Sequence, residues 1–298
     1  MTPLQRALGD LVARLNARRA LRVWSLVITI FGDAVMPRGG RVPLAALQDI
    51  LARLSIEPGA LRTALSRLAA DHWVIREKAG RNSLYGLDAR GRHAFDLATR
   101  KIYAGGPPAW QGKVSAAFAL PGTDLKAAAE RLAALGFAAA GTAAWLRPHT
   151  DQSEAAATAD LAGLLFVEGM PLPRTQALGR FWDLAGTAAA YTAFEAHFAP
   201  LAAAVAAGSE PAGPLDAMAA RTLLVHDWRR IVLHDPGLPA ELLPADWPGE
   251  RARRRAGLIY HRLAGPSEAW LDRAGLPPLD DPAGFGRRFG GAPGAIVR

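Results

Sequence analysis

Cysteine is absent from all 298 residues, which removes disulfides, thiol nucleophiles and thiolate metal sites and suits a reducing cytoplasm. Long apolar runs are absent too: WSLVITIF is among the longest, about half of the ~20 residues that cross a bilayer. The arginines that precede it do not make a secretion signal. Asp10 interrupts the basic stretch, and GDAVMPRGG lacks a small-residue cleavage site. A cytoplasmic protein is expected. Also missing are Gly-x-Ser-x-Gly, His-Glu-x-x-His, the P-loop and the dinucleotide fingerprint. GFGRRFGG is rich in glycine but has no strand-to-helix context. His226–Asp227 and His234–Asp235 are too few and too regularly spaced for a metal site, so helix packing and a proline turn account for them. No catalytic residue, metal or cofactor is expected.

Acid is scarce in one place. Residues 1–100 carry 16 lysines and arginines against 8 acids, whereas residues 101–298 carry 19 of each. The whole surplus of +8 therefore sits in the first third, as expected of a polyanion-binding head on a neutral remainder. Within it, EPGALRTALSRL starts a helix at Pro58 and turns Leu61, Ala64, Leu65 and Leu68 inward. Arg62, Thr63, Ser66 and Arg67 fall on the other face, with no acid between Glu57 and Asp71. Alone, that face fits solvent as well as DNA.

Its neighbours favour DNA. Leu4, Leu8, Leu11 and Leu15 mark an arm helix, Leu21–Phe31 a buried helix with Ser25 and Thr29 as its polar line, and Leu44–Leu54 another helix. GDAVMPRGGRVP reads as a loop carrying Arg38 and Arg41. Trp73–Ile75 and Leu84–Leu87 read as a hairpin turning at KAGRNS, with Arg76, Lys78, Arg81 and Asn82 along it. The order is that of a winged helix-turn-helix, read by the helix at Pro58 and steadied by the hairpin on backbone or minor groove.

GGPPAW is a linker. Beyond it, KVSAAFAL, FAAAGTAAWLRP and GLLFVEGMP read as strands around helices at Asp124–Gly136 and Ser153–Leu161, a ferredoxin-like (Cas2-like) α/β layer. A nuclease of that architecture wants a carboxylate on the first strand. KVSAAFAL has none, and Asp124 is better placed as a helix cap. Helices follow from Arg174. The expected fold is a multidomain α+β chain: winged helix over 1–104, α/β layer over 110–173, helical region over 174–274, and a loosely ordered Gly/Pro-rich tail over 275–298.

Two groups of motifs resemble one family. FGDAVMPRGG, ALRTALSRLAADHWV and AGRNSLYGLDARGR match it near the N-terminus, and LLVHDWRRIVLHDPGLPAELLPADWPGERA near the C-terminus. With Trp110–Gly112 and Phe181–Leu184 between them, residues 20–273 are similar to the PaaX family of bacterial repressors of phenylacetate catabolism. His72 departs from the pattern, which has glycine there. The resemblance implies a dimeric repressor on double-stranded operator DNA, released by phenylacetyl-CoA or a related acyl-CoA effector. Such a ligand needs an apolar slot and phosphate-binding cations. Trp182, Trp228, Trp247 and Tyr260 are candidate walls, and Arg229, Arg230, Arg251, Arg253, Arg254 and Arg255 candidate cations. Core packing and a solvated face account for the same residues. An acyl-CoA enzyme with a DNA-binding head and a nonspecific architectural binder remain the alternatives.

Overall fold

A computed structural model describes residues 1–17, 22–79, 82–150, 163–171, 178–208 and 213–291. They form two compact units. The first is Met1–Gly105, Thr192–Ile231 and Arg251–Arg298; the second is Gly106–Tyr191 and Val232–Glu250.

In the first unit, α1 (Pro3–Ala17) opens with a reciprocal cap. The Thr2 amide donates to Gln5 Oε1 at 3.0 Å and the Gln5 amide to Thr2 Oγ1 at 3.2 Å, satisfying two N–H groups that the helix cannot. Helix α2 (Val23–Ile30) does not give way to a loop. It runs on through a π-helical turn at Phe31–Val35 and a 3₁₀ turn at Met36–Arg38 until Gly39 takes a left-handed φ of 78°. Asp33 thereby points into the core.

Strand β1 (Arg41–Pro43), helices α3 (Leu44–Arg53) and α4 (Pro58–Ala70), strands β2 (Val74–Ala79) and β3 (Asn82–Leu87), and α5 (Ala89–Ile102) follow. The expected hairpin is there, and β1 adds a third strand in the antiparallel order β1-β3-β2. Between α4 and β2, His72 adopts φ 56°. This is the backbone conformation that glycine takes most cheaply, so the turn is one that a glycine would fit with less strain.

Residues 192–206 of α7 (Leu184–Ala206) also belong here, with α8 (Pro214–Val232), α9 (Gly249–Arg273) and the short α10 (Pro282–Gly286). The tail differs from expectation through residue 291. Phe285 is 3% exposed and Arg288 8%, because a buried carboxylate and a set of aromatic rings receive them.

The second unit holds a four-stranded antiparallel sheet in the order β5-β6-β4-β7, from β4 (Lys113–Ala119), β5 (Ala138–Ala139), β6 (Ala144–Pro148) and β7 (Leu164–Pro171). FAAAGTAAWLRP is thus two strands rather than one. It folds back where Ala140 donates to the Ala144 carbonyl at 2.8 Å. Helix α6 (Leu125–Ala134) covers one sheet face and is capped by Asp124, which accepts from the amides of Lys126 and Ala127. Ala117, Trp145, Ala128, Leu132 and Phe137 form the core between them. The helix expected over Ser153–Leu161 lies outside the described residues.

Candidate nucleic-acid interface

Helix α4 divides as its spacing requires. Leu61, Ala64, Leu65 and Leu68 are buried, while Arg62, Thr63, Ser66 and Arg67 are exposed. Thr63 Oγ1 donates to the Gly59 carbonyl at 3.1 Å, which fixes its rotamer. Arg67 lies 3.7 Å from Asp71, one turn on, and its guanidinium sits over Trp24 of α2. Both groups of the Arg67–Asp71 pair are more than half exposed, so the bond is weak and open to exchange.

On the sheet, exposed Arg76 donates to Ser83 Oγ at 2.9 Å. Arg41 reaches Glu77 at 3.1 Å, crossing the strand at Gly86, which pairs with both Arg41 and Ile75 and offers no side chain. The backbone places Lys78 opposite Ser83 and Asn82 opposite Ala79. Arg81 lies outside the described residues.

Arg38 is a correction. Expected to face DNA, it is 2% exposed, with its N–H groups on Glu268 (2.6 and 2.8 Å), Asp272 (2.7 Å) and the Pro277 carbonyl (2.6 Å). The 3₁₀ turn directs it toward α9, and its burial there keeps it from meeting a phosphate.

Arg38 is one end of a buried ionic network that the sequence reading missed. Asp33 accepts from Arg221 Nε at 2.7 Å, Arg288 Nη1 at 3.0 Å, Tyr103 at 2.6 Å and Tyr260 at 3.0 Å. Arg221, itself inaccessible, also bonds Glu268, which bonds Arg38. Burial alone would raise the Asp33 carboxyl. The guanidinium groups of Arg221 and Arg288 and the hydrogen bonds from Arg221 and Tyr103 outweigh it and hold the acid below its usual range. The available signal was an acid in an otherwise apolar stretch, ITIFGDAV.

The aromatic and basic candidates for an effector site divide between the units. Trp182 in the second unit lines a cleft of about 430 Å³ with Arg180, Leu184, Glu241 and Leu243. Trp247 stacks edge-on against Tyr191, whose hydroxyl bonds Asp235. In the first unit Trp228 and Tyr260 do not wall an open pocket as expected, since both are fully buried. Trp228 Nε1 donates to the Ile102 carbonyl and Tyr260 to Asp33. Arg229 turns back to Thr29 and Ser25 of α2 at 2.6–2.8 Å, and burial, reinforced by the Arg230 charge, pushes it down to about 10. Arg251 is spent on Glu195 at 2.7 Å, and Arg255 donates to the Glu195 carbonyl. Arg230 and Arg254 are exposed, and Arg253 lies over the Trp228 ring. His226 Nδ1 is 3.1 Å from Thr29 Oγ1, a helix-packing contact.

The model of the PaaX-like protein family matches residues 22–91, which include α2 through β3, and that of the PaaX-like protein C-terminal domain matches residues 182–273. The transcriptional repressor PaaX of Escherichia coli (strain K12) is 31% identical over 283 residues, covering 90% of each chain. A solved structure, the uncharacterized protein Rv0674 from Mycobacterium tuberculosis, aligns over 84% of this chain and 99% of its own with a TM-score of 0.54 at 21% identity, a likeness of fold alone. With that identity held over nine tenths of both sequences, the chain belongs to the PaaX-like family.

Proposed function

We propose that the protein is a transcriptional repressor of an aromatic, phenylacetate-type catabolic operon, binding operator DNA specifically and released by an arylacetyl-CoA. The observation that carries this reading is the near-full-length likeness to a transcriptional repressor. In this reading α3, α4 and the β2–β3 hairpin are a winged helix-turn-helix. Arg62, Thr63, Ser66 and Arg67 meet base edges and phosphates in the major groove. Arg41, Arg76, Lys78, Arg81 and Asn82 steady the wing, and the strand order of the second unit is that of a ferredoxin-like layer.

One short reading helix specifies too few base pairs for a unique site, so two heads act together as a homodimer. An exposed apolar patch at one end of the second sheet suits that role. Phe118, Leu165 and Val167 are 39%, 54% and 36% exposed, and Phe118 pairs with Leu165 across adjacent strands. Among the described residues no helix is long and apolar enough to cross a membrane. The protein works as a cytoplasmic regulator, not an enzyme.

The test is reciprocal. If effector weakens operator binding tenfold, operator weakens effector binding tenfold, since a coupling of about 1.4 kcal/mol acts in both directions. Calorimetry with phenylacetyl-CoA, with and without operator DNA, reads this directly. Equal affinities on a protein that binds both would reduce it to a passive DNA binder, and turnover of the thioester would make it an enzyme.

A further inference from the structure

We propose that the slot now filled by Phe289 is a seat for an aryl group, with the chain's own C-terminal segment as the internal competitor that a ligand displaces. The proposal rests on the effector reading above and gives it a place.

Phe289 is a benzyl group, a phenyl ring on one methylene, delivered into a cluster of rings. Its centroid lies 5.2 Å from Tyr260, 5.5 Å edge-on from Tyr103 and 6.1 Å from Trp228. Two glycines shape the slot. A Cβ on Gly257 would stand 2.9 Å from Phe289 Cβ, and one on Gly105 would stand 3.0 Å from Gly290 Cα. A side chain at either place would push the segment off. The slot is therefore cut to a benzyl-sized occupant.

Three features separate an exchangeable plug from a permanent seal. The Phe289 backbone is left-handed, φ 55°, a conformation that side-chain-bearing residues rarely adopt. Gly290 and the adjacent Gly291 follow it, so once their packing against Gly105 and His261 is released the backbone there has the widest choice of conformations. Phe289 is also only half-buried, whereas Trp228 and Tyr260 beneath it are inaccessible, so the slot opens to solvent at the Phe289 end. The stem of an arylacetyl ligand leaves by that opening, with Arg253 beside the Trp228 ring at the wall. Arg288, held on Asp33, stays in place as the anchor of the pivot. Release costs the bond from the Phe289 amide to the Tyr103 carbonyl, 2.9 Å, and those from the Gly290 and Gly291 amides to the Arg287 and Arg288 carbonyls, 3.1 Å each.

An internal competitor weakens the apparent affinity by the fraction of time the slot stands open. With the slot open about 1–10% of the time, Phe289→Ala tightens phenylacetyl-CoA binding by about 10- to 100-fold in calorimetry on the full chain. In the unaltered protein, saturating phenylacetyl-CoA speeds hydrogen exchange at the Phe289 amide, and this measurement decides the matter should the variant fail to fold. Unchanged affinity in a folded variant, or unchanged or slower exchange at that amide, overturns the plug and leaves an effector bound elsewhere, such as the Trp182 cleft. Binding by neither protein removes the effector reading itself, and the plug with it.

Discussion

The guanidinium carbon of Arg67 lies 5.6 Å from the centre of the Trp24 ring, so α4 and α2 share one cation–aromatic contact. The contact holds the long Arg67 side chain against the surface before any DNA arrives. Pre-ordering of this kind lowers the rotamer entropy lost on binding.

Arg67→Ala is expected to cost operator binding about 1–3 kcal/mol and to relax preference at one base position. Trp24→Ala leaves the charge but frees it, so a smaller loss, under ~1 kcal/mol, is expected with base preference intact. Binding-site selection with both variants checks the pair. Full affinity and specificity in Arg67→Ala would remove α4 as the reader.

The hairpin makes a different prediction. Arg76 is exposed and its neighbour Ser83 is neutral, so its charge is available to a phosphate. Arg76→Ala should weaken binding to all sequences alike and lower the slope of log K against log salt by about 1. A titration from low to moderate salt measures this, and an unaltered slope places the hairpin away from the backbone.

Arg221→Met leaves Asp33 without its principal cation and Glu268 with Arg38 alone. The expected loss is about 3–5 kcal/mol in urea unfolding at neutral pH. A loss below ~1 kcal/mol would show that Arg288 and the two tyrosines satisfy Asp33 by themselves. Acid weakens the same network. A carboxyl held low in the fold contributes stability above its unfolded pKa, and that contribution is lost as pH falls through the folded value.

His261 sets a second pH dependence nearer neutrality. Its ring nitrogens are buried with no well-formed hydrogen bond among the described residues, and burial lowers its pKa, with the nearby backbone of Arg288 pulling the other way. The neutral ring is the folded form. Its contribution is complete above the unfolded value of about 6.5 and is lost as pH falls below it. The fall in Tm between pH 7.5 and 5.5 should therefore shrink in His261→Gln. An equal fall in both proteins would mean that other groups carry it.

Much of the head was legible because its signals are local. Pro58, the leucine spacing of α4 and the alternation around KAGRNS each act within a few residues. Asp124 was readable as a cap for the same reason. The Asp33 network was not, since its cationic partners Arg221 and Arg288 stand 188 and 255 residues away. Arg38 was misplaced on the same ground: an exposed-looking arginine in a Gly/Pro-rich stretch gives no hint of Glu268. The tail misled through composition, because glycine signals freedom in isolation and close approach in a packed chain, as at Gly105 and Gly290.

That long-range network also orders events during synthesis. Asp33 leaves the ribosome early, but the cations that neutralise it are not translated until residues 221 and 288. Through most of elongation, the turn after α2 holds an acid with no counter-charge, and the head cannot close around it. Completion of the C-terminal 3₁₀ turn that carries Arg288 is thus the step that supplies the last of these partners. A message cut short before α8 should yield a fragment in which Asp33 has neither cation and the core of the first unit is incomplete.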